Sequence, residues 1–369
     1  MSDAARTPAH PKLLLVNHFD LETVCGTTVM FGELLRVAPR SAPDIEFAYQ
    51  SYEPHASAAE LRARLDAAHT DASCVVAVNA HIEVMWNLSE ELFAWCRARG
   101  TPAYVYAHDY WPHHKEYLSA LTTRHGARVI VSTPFIAEAL RQEGFSSEVI
   151  DVGVPLPDVW PAVATPASPK RIASAGRLVP RKRLPDIVRG FAGSGLDGVA
   201  RLYLRALPSN VFSPDSDAEQ LREIHAAIEQ ARLTSVVVDR QPGEQPDYRS
   251  YSAYVCSSSY EGFSMAVIES AFHGCPPLMS DILPHQRIAR ALFGAQAADF
   301  MYPVGDCHAL AGLMRDEITT ARRKALLDAR IDEIRATIAA RFSLAGTARA
   351  LARLARDVSG PPAPRVESR

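Results

Sequence analysis

The sequence predicts an α/β protein of two doubly wound, Rossmann-like domains, and three observations carry the prediction. Short β-rich runs alternate with helical patterns along nearly the whole chain. The alternation stops at the proline-rich stretch 153–169, which predicts a stiff, extended linker, and then it restarts. With 369 residues the chain is also too long for one small core, and two domains of roughly 150 to 200 residues are expected.

In the first half the pattern gives a first strand at 13–17, a third at 75–79, a fourth at 103–107, a fifth at 128–132 and a sixth at 148–152. Helices are expected near 28–37, 57–69, 88–99, 114–124 and 134–143. In the second half strands fall at 171–175, 201–205, 236–239, 253–256, 277–280 and 300–303. Helices lie near 184–192, 217–231, 264–273, 284–293 and 306–319, and two more close the chain at 321–341 and 344–357. The resulting domains are 1–160 and 170–345, with a closing helix at 346–358 and a disordered tail at 359–369. Open sheets of this kind bind ligands at the carboxyl ends of their strands, so two sites facing each other across a cleft are expected.

Composition narrows the function. An apolar content of 47% is that of an ordinary globular protein, and no run of 18 apolar residues could span a bilayer. The first residues carry no apolar core of a secretory signal, which predicts a cytoplasmic protein. Six cysteines stand apart without a C-x-x-C pair, giving no zinc or redox signature. Residues 1–160 hold 12 of the 39 Lys and Arg but 20 of the 42 Asp and Glu, so the first half is acidic and the second basic. That asymmetry suits an anionic ligand on the second half and argues against nucleic acid or anionic lipid as partner of the first. No feature specifies an oligomeric state.

The stretch 257–274, SSSYEGFSMAVIESAFHG, is the most informative. Its helical part is apolar all round, so Glu269 is buried and needs a partner. One candidate is the vicinal hydroxyl pair of a ribose, which a carboxylate accepts side by side; the other is a set of protein groups within the core. Gly262 allows a sharp turn, and the amides of Phe263, Ser264 and Met265 at the helix start can bind phosphate. Glu261 stands beyond that phosphate position. The strand at 171–175 runs into Gly176-Arg177-Leu178-Val179-Pro180-Arg181-Lys182, placing Arg177 and Lys182 at a strand's carboxyl end. Two fixed cations there can neutralise a diphosphate leaving group without a metal.

These two segments together resemble the carboxyl-terminal domain of family 4 retaining glycosyltransferases, which have the GT-B fold. That family carries a G-R-x4-K loop and a Glu-x7-Glu pair, matched here by Gly176, Arg177, Lys182, Glu261 and Glu269. Lesser echoes are Val152-Gly153-Val154, Val304-Gly305-Asp306 and Phe342-Ser343. The resemblance spans about 170–345 well and the first half loosely. It implies a hexosyltransferase of glycan or glycoconjugate biosynthesis that uses a nucleoside diphosphate sugar as co-substrate and no metal or other cofactor. The acceptor would be a glycan or a small molecule. Arg177 and Lys182 would hold the diphosphate, Glu261 the sugar hydroxyls and Glu269 the ribose, with Gly176, Gly262, Phe263 and Ser264 around the donor. In the first half, His108 would contact the reacting sugar, with Asp109 beside it, and Gly26 and Thr27 would open a helix toward phosphate or acceptor.

The chain departs from the family in two places. A single glycine, Gly26, stands where a glycine pair usually follows the first strand, and Ala206-Leu207-Pro208 replaces a glycine-rich turn. Two metal-like strings are read otherwise. Asp215-Ser216-Asp217 precedes a helix and suits an N-cap, and His108, Asp109, His113 and His114 match no common ligand spacing. Alternatives are a nucleotide-sugar epimerase or phosphorylase of the same fold, and an inactive donor-binding subunit supporting a partner enzyme.

Overall fold

A computed structural model describes residues 10–21, 26–52, 56–82, 85–162, 170–208, 214–240 and 247–359. The last part of the expected linker (163–169), the segment Glu22 to Cys25 and the tail from 360 lie outside the described residues. The chain divides into two compact units. One comprises Met1–Leu156 with Arg341–Arg369, the other Pro157–Ala340.

The first unit is built on β1 (Lys12–Asn17), α1 (Gly26–Ser41), β2 (Glu46–Ser51), α2 (Ala58–Ala68), β3 (Ala72–Val78), α3 (Trp86–Arg99), β4 (Ala103–Ala107), α4 (Lys115–His125), β5 (Arg128–Val131), α5 (Pro134–Gln142) and β6 (Glu148–Val149). Its sheet is parallel in the order β2-β1-β3-β4-β5-β6. Helices cover both faces, so β1 and β4 are buried at every position and read as continuous apolar runs. The second strand, β2, is an edge strand carrying Glu46, Gln50 and Ser51, too polar to stand out in the sequence. Ser57 and Glu60 close a capping box at the start of α2, while Gly100 and Gly126 end α3 and α4 in left-handed φ.

The second unit contains β7 (Lys170–Arg177), α6 (Leu184–Ser194), β8 (Ala200–Leu207), α7 (Pro214–Gln230), β9 (Val236–Asp239), β10 (Ala253–Cys256), α8 (Met265–Phe272), β11 (Pro277–Ser280), α9 (Leu283–Phe293), β12 (Met301–Tyr302), α10 (Cys307–Thr320), α11 (Arg322–Ala329) and α12 (Ile331–Arg341). Its parallel sheet runs β12-β11-β10-β7-β8-β9. The chain winds outward from β7 in one direction and from β10 in the other, so the switch point falls between these two strands. They pair only at Ala253–Ile172 and Tyr254–Ala173, whereas β7 stays paired with β8 as far as Arg177. Beyond Ala173 the two strands are no longer paired, and the Tyr254 hydroxyl donates across to Ala175 O at 3.2 Å.

Two expectations need correction. The single helix expected at 321–341 is two, because Arg330 leaves helical φ (−123°) and its guanidinium turns to Glu333 and the Phe293 carbonyl. The helix expected from 217 begins at Pro214, whose fixed φ suits the first helical position, so Asp215 and Asp217 both sit in the first turn and neither is the N-cap. The closing helix, α13 (Leu344–Ser359), packs on β1, β3 and α1 of the first unit through Leu344, Ala348, Leu351, Ala352 and Ala355, all buried. The return into that unit is tight: Val154 N–H donates to Phe342 O at 2.7 Å and Leu344 N–H to Val154 O at 3.1 Å. A Cβ on Gly153 would lie 2.1 Å from the Ser343 carbonyl carbon, so only glycine fits. No helix among the described residues is long and apolar enough to cross a membrane.

Candidate functional site

In the second unit the predicted residues gather at the switch point. Arg177 is the last residue of β7 and half-buried. A short 3-10 turn, Pro180–Lys182, follows and ends at Arg183 in left-handed φ (50°) before α6 begins. This turn brings Lys182 back over β7. Gly176 gives it room, since a Cβ there would meet the Lys182 Cβ and Cδ at 3.6 Å and Leu184 at 3.3 Å.

Lys182 and Glu261 meet directly. The ammonium donates to Glu261 Oε1 at 2.5 Å, Ser258 Oγ donates to the same oxygen at 2.6 Å, and Arg181 Nη1 lies 3.5 Å from Oε2. Glu261 is only 5% exposed, and burial would raise its carboxyl. Lys182 and Arg181 outweigh burial and hold it below the usual carboxylate range. Arg181 also donates to Tyr260 O at 3.2 Å, fixing the loop between β10 and α8 to the turn after β7. The two residues expected to hold sugar and diphosphate separately are thus a bonded pair in this structure.

Glu269 lies within α8 and is 7% exposed. Its Oε2 accepts a hydrogen bond from the Tyr248 hydroxyl at 3.2 Å, so the alternative of a protein partner holds for one oxygen at least. Burial, then the Glu269 charge, push the Tyr248 phenol well up, which keeps it a donor. Tyr254 of β10 feels the charge of both acids. It packs edge-on against Tyr248 at 5.5 Å, and both Glu261 and Glu269 help to raise its phenol beyond what burial does. Glu261, Lys182 and the end of β7 therefore share one end of one sheet, while Glu269, in the helix after β10, is held by Tyr248 from the turn before that strand.

Ser264 is the residue before α8 and makes no side-chain cap. Its hydroxyl faces inward, 3.2 Å from His285 Nε2 and 3.9 Å from Cys256 Sγ. Phe263 and Gly262 are half-buried, and Gly262 has no left-handed φ; the sharp backbone here is at Gly274, after the helix, with φ 78°. Cys256, Ser258, Ser280, His285, Tyr248 and Arg181 all support the site and were not singled out from sequence. Only Arg181, within the basic run, left a signal that could have marked it.

In the first unit His108 follows β4, as expected from a strand's carboxyl end. Its backbone N–H donates to Asn79 Oδ1 at 3.0 Å, its carbonyl accepts from Ser132 Oγ at 3.3 Å, and its ring sits edge-on to Tyr106 at 4.4 Å. Asn79 holds left-handed φ (49°) after β3. Burial lowers the imidazole to about 4, so it is neutral at ordinary pH, and among the described residues its buried Nε2 has no partner. Asp109 is half-buried, and its carbonyl oxygen lies 3.1 Å from His81 Nε2. Gly26 opens α1, with Thr27 half-buried in its first turn. Among the described residues no three His, Cys, Asp or Glu side chains are grouped to hold a metal ion.

Neither a scan of protein-family models nor a search of curated proteins gives a match. Solved structures do. Sucrose-phosphate synthase (tll1590) from Thermosynechococcus elongatus is similar over 95% of this chain and 99% of its own, with TM-score 0.73 and 17% identity. Anabaena Alr3699/HepE, solved with UDP and glucose, is similar over 94% and 100%, with TM-score 0.71 and 14% identity. A UDP-forming alpha,alpha-trehalose-phosphate synthase from Burkholderia xenovorans is similar over 95% and 100%, with TM-score 0.68 and 12% identity. The chain has the GT-B fold. At these identities the likeness is one of fold, and within the GT-B frame the cluster at β7 and β10 lies where an open α/β sheet takes its ligand.

Proposed function

We propose that this chain is a retaining, family 4-type glycosyltransferase that moves a sugar from a nucleoside diphosphate to an acceptor hydroxyl without a metal. The observation that carries the reading is the convergence of Lys182 and Arg181 on buried Glu261 at the switch point, with Glu269 in the adjoining helix. The fold likeness adds support, and since several solved structures of that fold are described with UDP or as UDP-forming, a UDP-sugar is the first donor to test.

The chemistry follows from charge. Breaking the bond between the anomeric carbon and the diphosphate oxygen leaves an oxocarbenium-like sugar and puts negative charge on the leaving group. Lys182 has three N–H donors, of which Glu261 takes one, and Arg177 stands at the end of the adjoining strand. Both cations are in place before the reaction, so stabilising the leaving group needs little reorganisation. Glu269 orients the ribose and Glu261 the sugar hydroxyls. The acceptor oxygen bonds to the anomeric carbon on the face the diphosphate leaves, and its proton passes to a diphosphate oxygen. His108 offers its Nε2 to a sugar or acceptor hydroxyl.

Transfer is measured with UDP-, GDP-, ADP- and dTDP-sugars in the presence of EDTA, with the product's anomeric configuration read by NMR. Arg177→Ala and Lys182→Ala are each expected to lose about 2 to 4 kcal/mol of transition-state stabilisation in kcat/KM. Full turnover by both variants, or epimerisation of the donor in the absence of acceptor, overturns the reading.

A further inference from the structure

Behind the loop that carries Glu261, side chains from four segments meet around one buried histidine. His285, in α9, has no exposed surface. Its Nδ1 lies 2.8 Å from the carbonyl oxygen of Ser280, at the end of β11. A carbonyl oxygen only accepts, so Nδ1 carries a proton and Nε2 is the nitrogen whose state can change. Nε2 lies 3.2 Å from Ser264 Oγ and 3.6 Å from Cys256 Sγ. Cys256 Sγ is in turn 3.6 Å from Ser258 Oγ, the hydroxyl that donates to Glu261. One continuous polar path therefore runs from Lys182 through Glu261, Ser258, Cys256 and His285 to Ser264 at the start of α8.

Two proton arrangements fit the path. With a neutral pair, the Cys256 S–H stays in place and the Ser264 hydroxyl donates inward to Nε2. Moving one proton from Sγ to Nε2 breaks the S–H bond, forms an N–H bond and leaves the pair's net charge unchanged. The imidazolium then donates to Ser264 Oγ and to the thiolate, and the Ser264 proton is released to point at a ligand beside the helix start. We propose that Cys256 and His285 are positioning residues that hold this thiolate–imidazolium form and so turn the Ser264 hydroxyl toward the donor's diphosphate. The last step rests on the glycosyltransferase reading above; the ion pair does not.

Surrounding charges agree. Burial by itself would push the Cys256 thiol up and the His285 imidazole down, yet each overcomes burial in the other's field: the thiol is lowered and the imidazole raised. Glu261, from the loop, opposes the thiolate and favours the imidazolium, while Lys182, from the turn after β7, favours the thiolate. Tyr302 of β12, whose hydroxyl donates to Cys256 O at 3.4 Å, and Tyr254 of β10 are phenols raised well above their ordinary range by burial, and both stay neutral.

The test reads the ultraviolet absorbance of the thiolate in unliganded protein as a difference from Cys256→Ser. Cys74 and Cys96, pushed up to about 12 by burial, and Cys275, pushed up further, are silent at neutral pH. A thiolate fraction well above the about 3% of an ordinary cysteine is expected at about pH 7. His285→Asn keeps an amide for the Ser280 carbonyl but no atom at Nε2, and it should lower the thiolate fraction at least tenfold. Binding of inorganic pyrophosphate should weaken about tenfold in both variants, as loss of a charge-assisted hydrogen bond implies, with partial recovery in His285→Gln. Absence of any thiolate absorbance change when the natural protein itself is titrated from neutral pH into acid overturns the pair, whether or not the variants fold. An identical titration in a folded His285→Asn protein does the same, and unchanged pyrophosphate binding overturns the positioning role. A protein with the thiolate but no transferase activity overturns the glycosyltransferase reading alone.

Discussion

Glu269 shows how a buried acid narrows what can surround it. Its Oε2 is held by the Tyr248 hydroxyl, whose ring also lies parallel to His273 at 6.0 Å. Tyr248→Phe keeps the ring and removes one hydrogen bond to a charged group, so it should cost about 1.5 to 3 kcal/mol of stability in urea unfolding; a cost near zero would show that Glu269 is satisfied without it. His81 and His108 make a second prediction. Burial lowers them from 6.5 to about 3 and about 4, so the unfolded chain takes up protons that the folded chain refuses. Their contribution to stability is complete above pH 6.5 and is lost as pH falls toward 4 and 3. His69, His125 and His273 share the direction. His81→Gln, which keeps a donor for the Asp109 carbonyl, should make the melting temperature fall less steeply across that interval. At this scale the sequence was informative where a motif exists. Lys182 and Glu261 stood out because their spacing fits a pattern, whereas Cys256 and His285 are 29 positions apart and meet only because β10 and α9 adjoin the same loop.

Elements were legible as far as their apolar periodicity was local. The strand at 253–256 and the helices at 284–293 and 306–319 lie within a residue or so of expectation, since each is bounded by a turn or a cap, such as Asp306 accepting from the His308 and Ala309 amides at 3.0 and 2.9 Å. What anchors an element was not legible. α8 is held at its carboxyl end by Arg335 of α12, whose Nε donates to Phe272 O at 2.9 Å and whose Nη2 donates to Pro161 O at 2.6 Å. The guanidinium also lies 5.3 Å from the Phe272 ring, 63 positions away in sequence. A cation at a helix's carboxyl end opposes the negative end of its dipole, so this clamp fixes the helix that carries Glu269. Arg335→Met keeps most of the stem but leaves both carbonyls without their donor. It should destabilise the protein by about 1.5 to 3 kcal/mol and weaken donor binding, while Arg335→Lys should recover part of each. Equal stability in Arg335→Met by thermal melting would rule the clamp out.

The sequence marked a closing helix near 344–357 without naming the sheet it covers, because periodicity marks a buried face and not its partner. That partner is the first unit, which makes this unit discontinuous in sequence while the second is one continuous stretch. Leu344, Leu351 and Leu354 are at most 3% exposed, and each contributes about 1.5 to 3 kcal/mol when buried. Without α13 the first unit would open an apolar face over β1, β3 and α1 that exceeds its margin of stability. Residues 157–340 produced alone should therefore unfold in one cooperative transition by circular dichroism. Residues 1–156 alone should show none and should aggregate, and should regain a cooperative transition when a peptide of 341–359 is added. In the intact chain Gly153→Ala tests the same joint from the other side, because its Cβ would collide with the Ser343 backbone and force it to shift, at about 1 to 3 kcal/mol. If 1–156 folds as stably by itself as in the whole chain, the closing helix is an ornament on that unit and not part of its core.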